Sequence, residues 1–302
     1  MKNRALVFIK PHAITDRFNQ FVETFLKDHH ISLSEPCRIG AQEVKRKEIV
    51  DRHYFAIART AVFSKPADYS LGLPARRIFE EAFGISWDDA LRKGRIFNSV
   101  DAQKRLGGIS GIELNELWQQ SRQVKMAPGL YAGHFTGDDF YCINGFYPGQ
   151  REVFTSDGAE LLLYEAEFSP EEVPWRRFRQ EIIGATDPSK AERGSLRNQL
   201  YERFIEFDLT ARPVMSKNGV HASAGPLEGL RERMVWLNTD PENDEFGGRL
   251  LAGGMNRDEL DGLLENPVVT LDSETGPAFD LTEDMDSDEA AALILRRKTG
   301  KS

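Results

Sequence analysis

Two short apolar runs, at residues 5–9 and 161–166, constrain the fold of this chain more than any other feature. Both runs are largely continuous rather than alternating, which is typical of strands that are buried on both faces of a sheet. A helix is predicted after Thr15, because apolar residues recur there at helical spacing: Phe18, Phe21, Val22 and Phe25. Strands that alternate with amphipathic helices predict an α/β or α+β fold.

The charge of the chain is concentrated at one end. The 302 residues carry a net charge of −9 at pH 7. From residue 239 onward there are 16 acidic and 6 basic residues, so this stretch has a net charge of −10 and the preceding 238 residues have +1. A nearly neutral body does not favour a broad nucleic-acid-binding face. The polar, glycine-rich start of the acidic stretch predicts a partly disordered appendage.

The composition predicts neither a membrane span nor a metal site. No run approaches the ~18 apolar residues that a membrane helix requires. The two cysteines, Cys37 and Cys142, are far apart and lack metal-ligand spacing. Such cysteine usage fits a reducing cytoplasm and argues against a zinc site or a disulfide scaffold. We therefore expect a cytoplasmic protein with neither a membrane nor a nucleic acid as its partner.

The stretch at residues 218–223 contains the histidine best placed to act as a nucleophile, His221. A turn-forming Asn-Gly pair precedes it, small residues flank it, and a helix is predicted to start at Pro226. The alternative is that His221 is structural or merely exposed, which is the commoner situation for a single histidine.

Basic residues elsewhere in the chain suggest an anion site. Lys10 follows the first apolar strand, where it could reach a phosphate or simply be solvated. Arg176, Arg177 and Arg179 lie on a predicted helix that begins after Ser169, and they could bind phosphate or form a solvated face. The sequence pattern alone leaves both alternatives open.

Taken in order, these pieces resemble the nucleoside diphosphate kinase family. The shared motifs are Ile-Lys-Pro at 9–11, His-Tyr at 53–54, Gly-x-Thr-x-Pro at 184–188, Ser-Leu-Arg at 195–197, Asn-x-x-His-x-Ser at 218–223, and Glu232 eleven residues after the histidine. No single motif is specific, but six in family order are hard to produce by chance. The resemblance covers roughly residues 4–63 and 161–237.

The resemblance implies a phosphotransferase and assigns roles to individual residues. His221 would take the γ-phosphate of a nucleoside triphosphate and pass it to a nucleoside diphosphate, because a largely neutral imidazole has a free lone pair. Glu232 would accept a hydrogen bond from its other ring nitrogen. The nucleotide would be bound by the remaining site residues, with Lys10 also assisting catalysis: Lys10, Tyr54, Arg179, Thr186, Arg197 and Asn218.

The resemblance also implies a fold and partners. The expected fold is α+β, a ferredoxin-like antiparallel sheet with helices on one face, plus a helical insertion. The expected domains are a kinase-like domain at 1–238, interrupted by an insertion at about 64–160, and an acidic extension at 239–302. ATP and other nucleoside di- and triphosphates would bind with Mg²⁺, which would bridge phosphates with little protein ligation. A homo-oligomer is a further expectation.

Departures from the family pattern suggest two other functions. The phosphate-binding arginine of the family aligns with Gln180, and Arg179 or Arg176 could replace it only if the helix is rotated or shifted. His12 stands where the family has aspartate, and Ala224 where it has an acidic residue. The alternatives are transfer to another phosphate acceptor or a protein, and a non-catalytic nucleotide-binding module.

Overall fold

The computed structural model describes residues 1–299, which divide into two compact units. Unit 1 consists of Met1–Gly40 together with the chain from Glu160 onward, and unit 2 is Ala41–Ala159. The acidic stretch therefore groups with unit 1. The domain boundaries expected from the sequence, with an insertion at 64–160 and an extension at 239–302, stay a prediction.

The strands are short, except for two that form the centre of the main sheet. In chain order they are β1 Asn3–Ile9, β2 Ser32–Leu33, β3 Cys37–Gly40, β4 Ile96–Asn98, β5 Arg122–Ala127, β6 Leu130–Phe135, β7 Phe140–Ile143, β8 Glu160–Phe168, β9 Val220–Ala222, β10 Val268–Leu271 and β11 Glu274–Pro277.

The helices are α1 Asp16–Asp28, α2 Ala41–Arg46, α3 Ile49–His53, α4 Phe55–Ala58, α5 Leu73–Phe83, α6 Trp87–Arg92, α7 Ser99–Arg105, α8 Gly111–Gln120, α9 Tyr147–Thr155, α10 Trp175–Arg177, α11 Leu196–Glu202, α12 Pro226–Trp236, α13 Glu245–Ala252, α14 Arg257–Leu263 and α15 Ser287–Thr299. Two segments are π-helical, Arg59–Phe63 and Phe178–Ile183. Short 3₁₀ turns occupy Pro11–Ala13, Pro66–Asp68, Pro188–Lys190 and Asp280–Thr282. Among residues 1–299, no helix is long and apolar enough to cross a membrane.

The sheet of unit 1 has a ferredoxin-like order. β1 pairs antiparallel with β8 along its whole length and with β9 on its other side. β2 and β3 both pair antiparallel with β8, so the strand order is β2/β3–β8–β1–β9. Helix α1 joins β1 to β2, and the helical segment 175–183 lies between β8 and β9 in the chain. The predicted α+β fold with an antiparallel ferredoxin-like sheet is therefore confirmed.

Helices cover both faces of this sheet, which corrects the expectation that they lie on one face. On one face, alternate residues of β1 pack with α1 and the 175–183 segment in a single apolar core that includes Val7, Phe18, Trp175 and Phe178. On the other face, α12 packs directly on β1. Gly229 permits this approach, since a Cβ there would lie 3.0 Å from the carbonyl oxygen of Arg4.

The acidic stretch is folded rather than partly disordered in the described residues. Leu227 and Leu230 of α12 share one core with apolar residues of α13, α14, α15 and the β10–β11 hairpin. Arg233, which is 1% exposed, forms a 2.6 Å ion pair with Asp244 of the stretch. The expectation of partial disorder was wrong because a charge count does not detect apolar residues spaced to complete another helix's core.

Unit 2 combines helices with a sheet of its own. The strand order is β4–β7–β6–β5; β4 pairs parallel with β7, and the other pairs are antiparallel. Within this unit, the carboxylate of Asp51 accepts hydrogen bonds from Tyr147 and Arg151 at 2.7 and 2.9 Å. Unit 2 thus contains a four-stranded sheet where the sequence predicted a helical insertion.

Candidate active site

His221 is held by a buried carboxylate. It lies on β9 opposite Phe8 of β1, and its Nε2 lies 2.7 Å from Oε1 of Glu232 on α12. The side chain of Glu232 is 3% exposed, and its Oε2 accepts a 2.5 Å hydrogen bond from the Ser223 hydroxyl. An ionised Glu232 accepts but does not donate, so this contact suits the His221 tautomer with the proton on Nε2 and the lone pair on Nδ1.

Aromatic packing holds the imidazole ring in its plane. The ring of Phe8 stacks on that of His221, with centroids 4.6 Å apart and an angle of 20° between the planes. Phe8 also packs against Trp236 of α12, at 5.1 Å between centroids. The side chain of His221 nevertheless keeps 19% of its surface exposed. Phe8 therefore fixes one face of the ring and Glu232 fixes one edge. The exposed part of the ring can still be reached by a ligand.

Backbone hydrogen bonds attach the 218–223 stretch to β1. The amide of Lys10 donates to the carbonyl of Gly219 at 2.8 Å, and the amide of Ser223 donates to the carbonyl of Leu6 at 3.1 Å. The Leu6 amide in turn donates to Oγ of Ser223 at 2.9 Å. These bonds explain why a short turn containing Asn-Gly can place a histidine at a defined position beside the end of β1.

A group of cations that includes Lys10, Arg197 and Arg179 lies beside this stretch. Arg197, 9% exposed, donates to the carbonyls of Gly184 at 2.7 Å and Val220 at 2.9 Å. Burial and the charge of Arg197 lower the pKa of Lys10 to about 8. Burial and the charge of Arg179 lower the pKa of Arg197 to about 10. Cations that repel one another in this way favour an anion bound among them.

Two buried polar atoms beside these cations lack a hydrogen-bond partner within the described residues, Arg197 Nε and Asn218 Oδ1. Asn218 is 3% exposed, and its amide nitrogen donates to the carbonyl of Thr186 at 3.1 Å. A buried donor or acceptor left unpaired costs roughly 1–3 kcal/mol. Such atoms are therefore rare. Here Arg197 supplies an unpaired donor and Asn218 an unpaired acceptor, and both residues were predicted from the sequence to bind phosphate and sugar groups.

The helix that contains Arg179 is shifted in register. Such a shift is what Arg179 needs in order to replace the family arginine that aligns with Gln180. Residues 178–183 form a π-helix, and the amide of Gly184 donates to the carbonyl of Arg179 at 3.1 Å. In a π turn the bonded residues are five apart, whereas they are four apart in an α turn. Arg179 thus stands, relative to Gly184, where Gln180 would stand in an α-helix.

Acidic residues of the stretch after residue 239 contact this helix. Nη1 of Arg179 lies 3.1 Å from Oδ1 of Asp284, and Nη2 forms an ion pair with Glu283. The side-chain amide of Gln180 donates to Oδ2 of Asp284 at 2.7 Å. Arg176, one turn earlier, is exposed and makes a long hydrogen bond to Gln180 at 3.5 Å. Arg176 thus remains at the surface. Arg179 is the arginine, among those that the sequence suggested, that lies near Arg197.

His12, where the family has an aspartate, supports the loop instead. The amide of Gly219 donates to Nε2 of His12 at 3.2 Å. Burial and the nearby charges of Lys10 and Lys217 lower the pKa of His12 to about 4. His12 is therefore neutral at pH 7 and adds no charge to the cationic group.

Glu228 is a titratable group of α12 that the sequence did not single out. It accepts a 3.3 Å hydrogen bond from the amide of Ala224. Burial and the negative charge of Glu232 raise the pKa of Glu228 to about 8. It is therefore partly protonated near neutral pH, which limits the repulsion between Glu228 and the carboxylate that holds His221.

Tyr54 lies in unit 2, whereas the other predicted site residues lie in unit 1. Within unit 2 it directly follows α3, and its ring meets that of His53 edge-on at 4.3 Å and that of Tyr147 at 6.5 Å. Its expected position near the histidine and the transferring phosphate stays a prediction.

Sequence reasoning missed several residues that contact the site: Phe8, Glu228, Glu283 and Asp284. Phe8 lies inside a buried strand, where an aromatic residue is ordinary. The acidic pair lies in a stretch with many carboxylates, and no spacing distinguishes these two. Contacts with distant residues reveal the places of Phe8, Glu283 and Asp284, whereas Glu228 contacts residues only four positions away.

Comparisons with known proteins bear on the family resemblance. No protein-family model matches the chain. The chain is 24% identical over 160 residues to a nucleoside diphosphate kinase of Brucella anthropi, in an alignment that covers 53% of this chain and 94% of the relative. The resemblance predicted from the six motifs is therefore confirmed as similarity to a nucleoside diphosphate kinase.

Solved structures of two nucleoside diphosphate kinases also align with the chain. The enzyme of Encephalitozoon cuniculi has 13% identity and a TM-score of 0.38, over 79% of this chain and 90% of that one. The NDP kinase of Pyrobaculum aerophilum has 17% identity and a TM-score of 0.37, over 78% and 96%. The strand order of unit 1, and not these alignments, establishes the ferredoxin-like sheet.

Proposed function

We propose that this chain is a nucleoside diphosphate kinase-like phosphotransferase that moves the γ-phosphate of a nucleoside triphosphate to a nucleoside diphosphate through a phosphohistidine at His221. One observation carries the proposal: an imidazole held by a buried carboxylate lies next to a group of cations, Lys10, Arg197 and Arg179. The named activity of the Brucella relative supports the same reaction class.

Each half-reaction exchanges one bond to phosphorus. Nδ1 of His221 attacks the γ-phosphorus, an N–P bond forms, and the bond from phosphorus to the bridging oxygen breaks to release a nucleoside diphosphate. A second diphosphate then attacks the phosphohistidine in reverse. Glu232 keeps the proton on Nε2 and stabilises the charge that develops on the ring, while the cations neutralise charge on the phosphate oxygens.

The cations and Asn218 beside His221 fit a nucleotide better than they fit a metal ion. Arginine and lysine side chains are not cation ligands, and the unpaired Nε of Arg197 and Oδ1 of Asn218 suit a phosphate oxygen and a sugar hydroxyl. We therefore expect Mg²⁺ to be held mainly by the nucleotide, where it would supply charge neutralisation. Thr186 would contribute through its backbone carbonyl, which orients Asn218.

Labelling with γ-labelled ATP tests the proposal. Wild type should acquire acid-labile, base-stable label that a nucleoside diphosphate removes, because a phosphoramidate behaves in this way. His221→Ala should acquire none. His30→Asn is the matched control, since His30 is exposed with a positive φ that asparagine tolerates, and it should label like wild type. Equal labelling of wild type and His221→Ala would contradict the proposal.

A nucleotide-binding module without transfer is the alternative, and the carboxylates that occupy Arg179 favour it. A nucleotide that raises the melting temperature of a chain that never becomes labelled would select this alternative. Rapid discharge of the label by every nucleoside diphosphate would instead exclude a specialised acceptor. A cytoplasmic location and a homo-oligomer belong to the proposal as predictions, the first from the two free cysteines.

A further inference from the structure

We propose that Glu283 and Asp284 act as an internal competitor for phosphate, so that a nucleotide must displace their carboxylates from Arg179 and Gln180 in order to bind. The inference rests on the proposed function, because it assigns a regulatory contact to the same site. It concerns the acidic stretch, which lies outside the residues that resemble nucleoside diphosphate kinases.

The carboxylates satisfy the groups that a phosphate would use. One terminal nitrogen of Arg179 contacts Asp284 at 3.1 Å and the other pairs with Glu283. The amide of Gln180 donates to the second oxygen of Asp284 at 2.7 Å. A guanidinium binds carboxylates and phosphates with the same planar fork, so it cannot fully engage both.

The backbone on the amino side of this pair is fixed beside the His221 stretch. Thr282 is fully buried, and the amide of Asp284 donates to the carbonyl of Ala224 at 3.1 Å. Gly225 leaves room for this approach, since a Cβ there would lie 2.7 Å from the carbonyl oxygen of Thr282. The acidic pair is therefore part of the wall of the site.

The backbone on the carboxyl side is fixed as well. Oδ1 of Asp286 accepts hydrogen bonds from the amide of Trp175, at the start of α10, and from the side chain of Asn3, both at 2.7 Å. The amide of Ser287 donates to Oδ1 of Asn3 at 2.8 Å. With anchors on both sides, Glu283 and Asp284 can release Arg179 only by rotating their side chains, and they return as soon as the phosphate leaves.

Exposure makes this contact weak enough to exchange. The side chains of Arg179 and Glu283 are 36% and 39% exposed, and that of Asp284 is 24% exposed. Ion pairs with this access to water are weak. A polyphosphate presents more negative charge to the guanidinium of Arg179, and it also reaches Arg197. It can therefore displace the two carboxylates, but this displacement lowers the apparent affinity for the nucleotide.

The alternative role for the pair is to orient Arg179 for phosphate, and the two roles predict effects of opposite sign. The test is isothermal titration of MgADP into the full chain. The variant Glu283→Gln/Asp284→Asn removes two charges with little change in shape, and asparagine tolerates the positive φ of residue 284. Asp258→Asn/Glu274→Gln is the matched control, because it removes two exposed charges from α14 and the β10–β11 hairpin.

We expect Glu283→Gln/Asp284→Asn to bind MgADP about fivefold more tightly than wild type, as the loss of two exposed ion pairs implies. The control should differ from wild type by less than about twofold. Adding Arg179→Ala to the Glu283→Gln/Asp284→Asn variant should abolish the gain. Unchanged or weaker binding by Glu283→Gln/Asp284→Asn would overturn the inference and leave the proposed function intact.

Inorganic pyrophosphate serves as the second probe, since it tests the cationic group without a nucleoside. A tighter affinity of Glu283→Gln/Asp284→Asn for pyrophosphate as well as MgADP would support competition at the phosphate position. If neither probe binds wild type or any variant, both the proposed function and the inference fail. Failure of the two is thus distinguishable.

Discussion

Lys10 shows how a single side chain acquires its chemistry from its surroundings. It directly follows β1, whose residues are buried except Arg4, and its amide bonds to Gly219, the neighbour of the Val220 that Arg197 contacts. Burial and that cation lower its pKa to about 8, so a modest rise in pH removes its charge. A phosphate bound beside Lys10 would restore the charge, which links nucleotide affinity to pH.

We predict that the affinity for MgADP is nearly constant up to about pH 8 and then falls by as much as roughly tenfold per pH unit. Below this pKa Lys10 is charged and attracts phosphate, whereas above it binding must first take up a proton. Titration calorimetry between pH 6.5 and 9.5 measures the profile. Lys10→Arg, which stays charged, should give a flatter profile.

Other groups near Lys10 do not obscure this comparison. Arg197 keeps its charge over most of the range, with a pKa of about 10, and His12 is already neutral. The pKa of Glu228 is also raised to about 8, but Glu228 is present in both wild type and Lys10→Arg, so the difference between their profiles reports on Lys10. Parallel profiles for the two proteins would show that Lys10 does not face the phosphate.

At the scale of the element, the π-helix at Phe178–Ile183 sets the register of Arg179 relative to Gly184. The wider turn contains one more residue than an α turn, so the residues before it are rotated relative to Gly184. Arg179 thereby stands near Arg197, while Arg176 remains exposed. A regular α-helix would place Gln180 in that position.

We predict that Arg179→Ala weakens MgADP binding by about tenfold, since a guanidinium–phosphate contact is a charge-assisted hydrogen bond. Arg176→Ala, on the same helix, is the matched control and should change the affinity by less than about twofold. Titration calorimetry with both variants provides the measurement. A larger effect of Arg176→Ala would show that the π-helix does not set the register of the site.

At the scale of the whole molecule, the acidic stretch is part of unit 1 rather than an accessory to it. It buries Leu227 and Leu230 of α12, and it supplies Asp244 to the buried Arg233. The same α12 carries Glu232, the partner of His221. The stretch therefore supports the carboxylate that holds His221 through the helix, besides contacting Arg179.

We predict that a chain ending at residue 238 is severely destabilised. Exposure of each leucine costs about 2 kcal/mol, and Arg233 also loses its ion pair with Asp244 while keeping the one with Glu165. Thermal unfolding by circular dichroism, with solubility as a second readout, measures the effect. The Asp258→Asn/Glu274→Gln variant, which keeps the apolar contacts, should unfold close to wild type. A truncated chain with the wild-type midpoint would contradict this account.

Local sequence determined the central strands and the residues at their ends. The apolar runs at 5–9 and 161–166 form β1 and β8 because a segment buried on both faces needs no polar alternation. The helix start at Pro226 was equally readable, since proline suits a first turn. The pairing of His221 with Glu232 was expected from the family motif, which has a glutamate eleven residues after the histidine. The spacing of apolar residues does not predict it.

Only the tertiary structure decided which charged side chains surround Arg179. The π-helix that brings Arg179 into place does not have a distinct hydrophobic period, so it is invisible in the sequence. Glu283 and Asp284 reach Arg179 across more than 100 positions, and nothing local distinguishes them from other carboxylates of their stretch. The spacing of apolar residues is local, so the sequence alone predicts which segments are buried. Contacts between charges that are distant in the sequence form only when the chain folds.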